Sequence, residues 1–170
     1  IVAADASNTT SVLIGNGNGT FQSAHAFSGG TFGASPSELV LADINRDGKL
    51  DIVTGRLGYF VALGNGDGTF QQYILPTGEF PLAVAAVASA DVNHDGWADL
   101  IVSDFNISFG QAEDDDPVIR HLKVLLGSAS GTLTPTAFYD IATGGLPSDG
   151  PASISIVDLD GDHNLDIITA

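Results

Sequence analysis

Apolar residues in this chain come in short runs, each closed off by Gly, Asn or Asp, and none recurs with the period of a helix. Segments such as Glu38-Leu-Val-Leu-Ala42 and Leu122-Lys-Val-Leu-Leu126 have the length of strands, and the polar punctuation between them has the length of tight turns. Through the middle of the chain this pattern predicts strands near 38–43, 50–55, 59–63 and 70–75, then near 85–91, 98–103, 121–126 and 134–141. Leu50-Asp-Ile-Val53, Ala98-Asp-Leu-Ile-Val102 and Leu165-Asp-Ile-Ile168 are apolar on both faces, as strands buried between two layers are. The fold class is all-β.

Two punctuation phrases repeat in register. The first is acidic: Asp43-Ile-Asn-Arg-Asp-Gly-Lys-Leu-Asp51, Asp91-Val-Asn-His-Asp-Gly-Trp-Ala-Asp99 and Asp158-Leu-Asp-Gly-Asp-His-Asn-Leu-Asp166, starting 48 and then 67 residues apart. The second is rich in glycine: Gly15-Asn-Gly-Asn-Gly-Thr-Phe21, Gly64-Asn-Gly-Asp-Gly-Thr-Phe70 and a degraded Gly127-Ser-Ala-Ser-Gly-Thr-Leu133. Its Asn-Gly and Asp-Gly pairs supply the positive φ of a hairpin turn, so each copy joins two antiparallel strands. The unit reads strand, acidic loop, strand, linker, strand, glycine-rich turn, strand. Four strands in about 45–50 residues are the mark of a β-propeller blade.

On this reading residues 1–170 form one repeat domain: a partial blade over 1–35, a blade over 36–83, a blade over 84–150 with an insertion at 104–120, and a partial blade over 151–170. The propeller is incomplete, with two full units, three strands before them and two after. Closed propellers take about four blades or more, so the expectation is either a longer chain or copies that complete one another's blades.

The acidic loops carry the chemistry. Oxygen-bearing side chains stand at positions 1, 3, 5 and 9 of each, a density of carboxylates that repels itself unless a cation sits among them. Hard oxygen donors at alternating positions, with no Cys and no paired His, suit Ca²⁺. In the first loop the candidate ligands are Asp43, Asn45, Asp47, Asp51 and the Lys49 carbonyl, with the Lys49 ammonium pointing outward and Gly48 at the sharp turn. In the second they are Asp91, Asn93, Asp95, Asp99 and the Trp97 carbonyl. In the third they are Asp158, Asp160, Asp162, Asp166 and Asn164, but His163 stands at position 6 and the glycine falls early, at Gly161, so this loop is expected to be weaker or more distorted. Three such ions would each clamp two strands and serve structure. Phe21 and Phe70 follow their turns at equivalent places and are expected to pack in the core.

Asp-x-Asn-x-Asp-Gly-x-x-Asp before an Ile/Leu/Val run, followed by Leu-Gly-Asn-Gly-Asp-Gly-Thr-Phe, resembles the FG-GAP/VCBS-type repeat of integrin α-subunit propellers and of many bacterial secreted proteins. The resemblance covers nearly the whole chain. It implies that the acidic loop joins the first and second strands of a blade and binds Ca²⁺, and it implies roles in interaction more often than in catalysis.

Composition narrows the partners. The net charge is −16, and the three loops hold ten of the aspartates; three Ca²⁺ would add six positive charges and leave about −10. With only five Lys and Arg (Arg46, Lys49, Arg56, Arg120 and Lys123), nucleic acid and anionic membrane are poor partners. No run approaches the roughly 20 apolar residues of a membrane span. The absence of Cys excludes thiol chemistry, and millimolar Ca²⁺ outside cells favours an extracellular or cell-surface location. Asn8, Asn18 and Asn106 begin sequons.

Four His (25, 94, 121 and 163) are scattered and complete no catalytic set. Glu113 to Asp116 form a run of four carboxylates in the insertion, read first as a solvated loop, with an extra cation or a basic partner as the functional alternative. The expected function is therefore a non-enzymatic, Ca²⁺-stabilised module for adhesion or self-assembly into a ring or filament, with itself or an extracellular protein or glycan as partner. The alternative is a lectin-like propeller, or an accessory part of a secreted polysaccharide-degrading enzyme, in which Trp97 stacks on a sugar.

Overall fold

A computed structural model describes residues 2–4, 9–28, 38–56, 58–71, 84–105, 119–143 and 153–170. These residues form twelve strands in four antiparallel sheets, with no helix among them. Strands β1 (Val2–Ala4), β2 (Thr9–Val12) and β3 (His25–Ser28) make the first sheet, and β4 (Glu38–Ala42), β5 (Asp51–Arg56) and β6 (Gly58–Ala62) the second. The third contains β7 (Val84–Ala90), β8 (Asp99–Phe105), β9 (Ile119–Leu126) and β10 (Thr134–Thr143), and the fourth β11 (Ile154–Val157) and β12 (Asp166–Thr169). Each sheet is a meander whose neighbours follow sequence order, which short polar turns between apolar runs dictate. The architecture is that of incomplete propeller-like blades.

Only the third sheet shows all four strands. In the second, the strand expected near 70–75 is seen at its start, where Phe70 bridges Gly64 and the Gln71 N–H donates to the Leu63 carbonyl at 2.8 Å. Its remainder lies outside the described residues. So do residues 106–118, which hold most of the insertion and its carboxylate run.

The sheets stack largely through their first strands: β4, with β5 beside it, packs on β7, and β7 packs on β11. Between the second and third sheets lies the core, in which Ile44, Val53, Leu100, Val102 and Leu125 are fully buried. Burying each such side chain stabilises the fold by about 1.5–3 kcal/mol. The sheets also interlock sterically: a Cβ on Gly55 would fall 2.4 Å from Val84 Cγ1.

The central strands β5 and β8 are apolar on both faces for the reason the sequence suggested, since Ile52, Val53, Leu100, Ile101 and Val102 all have 0% exposure. Three expectations fail. Leu165–Ile168 is not buried on both faces, since Leu165 and Ile167 are half-buried and Ile168 is 42% exposed. Leu50 is 57% exposed, because it lies in the loop just before the β5 ladder. Phe21 is 45% exposed rather than packed in the core. Its ring lies across Gly15 at the surface, whereas the equivalent Leu133 is 3% exposed in the core between the second and third sheets.

Tyr59, at the edge of this core, has its phenol pushed up to about 12 by burial. A raised folded pKa on an acid favours the protonated native state, so its stabilising contribution is complete below pH 10 and is lost as the pH climbs toward 12. Ultraviolet titration should therefore show a tyrosine ionising last and together with unfolding. Ionisation of every tyrosine near pH 10 in the folded protein would contradict this burial.

Candidate metal centres

The first two acidic loops share one hydrogen-bond scheme, built from short acceptors folding back on nearby amides, and the third follows it except at its first aspartate, which takes the position-4 amide in place of position 5. The first aspartate receives two backbone N–H groups. Asp43 accepts from Asp47 at 3.0 Å and Gly48 at 2.8 Å, and Asp91 from Asp95 at 3.0 Å and Gly96 at 2.8 Å. Asp158 accepts from Gly161 at 2.7 Å and His163 at 3.0 Å. Positions 3 and 5 then form consecutive Asx turns, each side chain accepting the amide two residues on. Asn45, Asn93 and Asp160 do so from Asp47, Asp95 and Asp162 at 3.0–3.1 Å. Asp47, Asp95 and Asp162 do so from Lys49, Trp97 and Asn164 at 2.7–3.0 Å. These bonds turn the first, third and fifth side chains toward the inside of the loop.

The ninth position behaves differently. Asp51 has 0% exposure, and its two oxygens accept from different elements: Oδ2 from the Ile44 N–H at 2.9 Å inside the acidic loop, and Oδ1 from the Gly64 N–H at 2.8 Å in the glycine-rich turn. Asp99, also at 0%, repeats the arrangement with Val92 at 2.9 Å and Gly127 at 2.8 Å. The two repeating phrases are thus one device, bolted through a buried carboxylate. Desolvation pushes both carboxyls up despite the amides that favour their charged form. Asp166 keeps the loop half of the scheme, accepting from Leu159 at 2.8 Å.

The glycine-rich turns close on themselves. Asn16 and Asn65 donate backbone N–H to the Thr20 and Thr69 carbonyls, and their side chains donate to the threonine hydroxyls at 2.8 and 2.9 Å. Asp67 accepts the Thr69 hydroxyl at 2.6 Å and its amide at 2.9 Å, which holds this carboxyl below the usual range. The first residue of the turn must be glycine for a contact reason: a Cβ on Gly64 would fall 2.2 Å from the Leu50 carbonyl oxygen, and one on Gly127 2.3 Å from that of Ala98.

Position 6 takes positive φ in every loop, at Gly48 (83°), Gly96 (86°) and His163 (73°), and so does position 4, at Arg46 (55°), His94 (60°) and Gly161 (82°). Each loop spends its single glycine on one of two left-handed positions. The third loop is therefore no more strained by that count than the others, contrary to the expectation from His163 alone. Gly161 was the sequence signal for position 4, masked in the other copies by Arg and His. The Lys49 ammonium also differs from expectation, turning back to Asp47 Oδ2 at 3.3 Å.

The donor set suits a hard cation: every candidate side-chain donor is a carboxylate or amide oxygen, and a carboxylate accepting two N–H bonds retains further lone pairs. Carboxylate oxygens of Asp158, Asp160 and Asp166 lie within 4.8 Å of one another. In the first two loops an asparagine replaces the third-position aspartate and the ninth aspartate is drawn into its clamp.

A model of the FG-GAP-like repeat matches residues 1–54 and 55–102. Each matched stretch ends within a second strand, β5 or β8, and the third acidic loop lies beyond both. No curated protein matches the chain.

Proposed function

Because the chain belongs to the FG-GAP-like repeat family, we propose that this β-propeller-like module works outside the cell as a calcium-stabilised interaction domain without catalytic activity. The hydrogen-bond scheme of the three loops supports this reading, since it folds oxygen donors back within each loop, and in the third loop carboxylate oxygens of Asp158, Asp160 and Asp166 lie within 4.8 Å of one another. Asp43, Asn45, Asp47 and Asp51, their counterparts in the second loop, and Asp158, Asp160, Asp162 and Asp166 would hold the ions, with the carbonyls of Lys49, Trp97 and Asn164 completing each set. The ions would supply charge neutralisation and a cross-link between the first two strands of a blade.

Chelation tests it. Adding EDTA should lower the melting temperature on the order of 5–10 °C per occupied loop, and calorimetry should count about three sites. An unchanged melting curve in EDTA, with no heat of Ca²⁺ binding, would sink the reading.

Interaction rather than chemistry is favoured by what the fourth sheet displays. Val157, Leu159 and Ile168 are 41%, 69% and 42% exposed, whereas Ala42, Ile44 and Val53 at the equivalent places of the second unit are buried. A further blade, from more of the polypeptide or from a second copy, fits this face. Light scattering on the 170-residue chain tests the second copy: a calcium-dependent multimer supports self-assembly through this face, and a monomer at all concentrations rules it out.

A further inference from the structure

Arg46 stands at position 4 of the first loop, yet its guanidinium belongs to the second. It lies 5.3 Å from the centroid of the Trp97 ring. It also rests on the Cα face of Gly96, where a Cβ would fall 2.9 Å from Nη1 and 3.2 Å from Cζ. Gly96 and Trp97 are positions 6 and 7 of the second loop, and the Trp97 carbonyl is one of that loop's candidate ligands. A Cβ on Gly127 would come within 3.3 Å of Trp97 Cβ, so the base of this side chain also lies against its own blade's glycine-rich turn. Arg46 reaches there from a backbone at φ 55°, a conformation sustained by the loop's hydrogen bonds on either side of it. Asn45 makes a parallel contact, since a Cβ on Gly131 of the neighbouring glycine-rich turn would meet Asn45 Cβ at 3.2 Å.

We propose that Arg46 is a positioning residue that couples the first metal loop to the second, so that filling one raises the affinity of the other. The inference rests on the calcium reading above. Ordering residues 43–49 fixes the Arg46 backbone, the guanidinium fixes the indole, and the indole fixes the carbonyl at position 7. An exposed cation–π contact of this kind supports coupling of about two- to fivefold, and linkage makes it reciprocal.

Trp97 is the chain's single tryptophan and is itself part of the second loop, so terbium luminescence sensitised by it reports that site most strongly, and the variants that disable the first loop remove the first site's share. The experiment is a double-mutant cycle with Tb³⁺ as the probe. Asp47→Asn, which disables the first loop, should weaken terbium binding at the second by about threefold when Arg46 is present and should have no such effect in Arg46→Ala. Charge transmitted through space acts in both backgrounds and cancels from the cycle. Arg46→Lys, which keeps the charge but not the planar stack, should lose most of the coupling. Equal effects of Asp47→Asn with and without Arg46, or full coupling in Arg46→Lys, would overturn the proposal while leaving calcium binding intact. No uptake of Tb³⁺ or Ca²⁺ by the wild-type chain would overturn the calcium reading and the coupling together. Arg46 is exposed, so its variants are expected to fold, and melting curves in EDTA confirm it.

Discussion

Replacing Gly64 with alanine is expected to cost about 3 kcal/mol, and the same change at Gly127 should do likewise. The added methyl would sit 2.2 Å from the Leu50 carbonyl oxygen in one blade and 2.3 Å from that of Ala98 in the other. A backbone oxygen cannot swing aside as the end of a side chain can. Relief requires the turn to retreat from the acidic loop, and retreat stretches the amide bond from Gly64 or Gly127 to the buried aspartate. In urea denaturation the midpoint should fall without a change in slope, and the melting temperature should drop by roughly 6–12 °C. Gly15→Ala is the control, because a Cβ there meets nothing nearer than the Phe21 ring at 3.7 Å. A similar loss in all three variants would show that the carbonyl approach is not the cause.

The second large effect separates two kinds of aspartate within one loop. In EDTA, Asp51→Ala or Asp99→Ala should destabilise the protein by about 2–4 kcal/mol, since each strands two amide donors beneath the surface. Asp51→Asn should cost somewhat less, because one amide N–H still finds an oxygen. Asp47→Ala, at an exposed position whose bonds are local, should stay within about 1 kcal/mol under the same conditions. Adding Ca²⁺ should then spread the series further, with Asp47→Ala losing the stabilisation that the wild type gains. If Asp47→Ala were as damaging as Asp51→Ala without metal, the buried clamp would not be the element that joins the two phrases.

Most of the architecture was legible because its signals are local. A nine-residue acidic loop and a seven-residue turn fix their own conformations through bonds spanning two to five residues, such as Asn45 to Asp47 and Asp67 to Thr69. Strand positions followed from where these phrases interrupt the apolar runs. What escaped the sequence was of longer reach. Nothing in the spelling of Asp51 distinguishes it from Asp47, and only the docking of the glycine-rich turn turns it into a buried acceptor. The left-handed fourth position was hidden because Arg46 and His94 occupy it at a cost that the surrounding hydrogen bonds offset. Phe21 was misjudged because its burial depends on how closely one sheet packs on the next, which the repeat phrase does not encode.

The bond from Gly64 to Asp51 closes over 13 residues, and its counterpart from Gly127 to Asp99 closes over 28. The same two distances are reached in both cases, so the closure is indifferent to how much polypeptide runs between its ends. Length added between the second and third strands is thermodynamically cheap, growing only as the logarithm of the loop. The repeat therefore tolerates innovation at one address while its chemistry stays constant elsewhere. Foreign recognition sequences grafted between β8 and β9 should be carried without loss of the blade, much as nature has already lengthened that connection here.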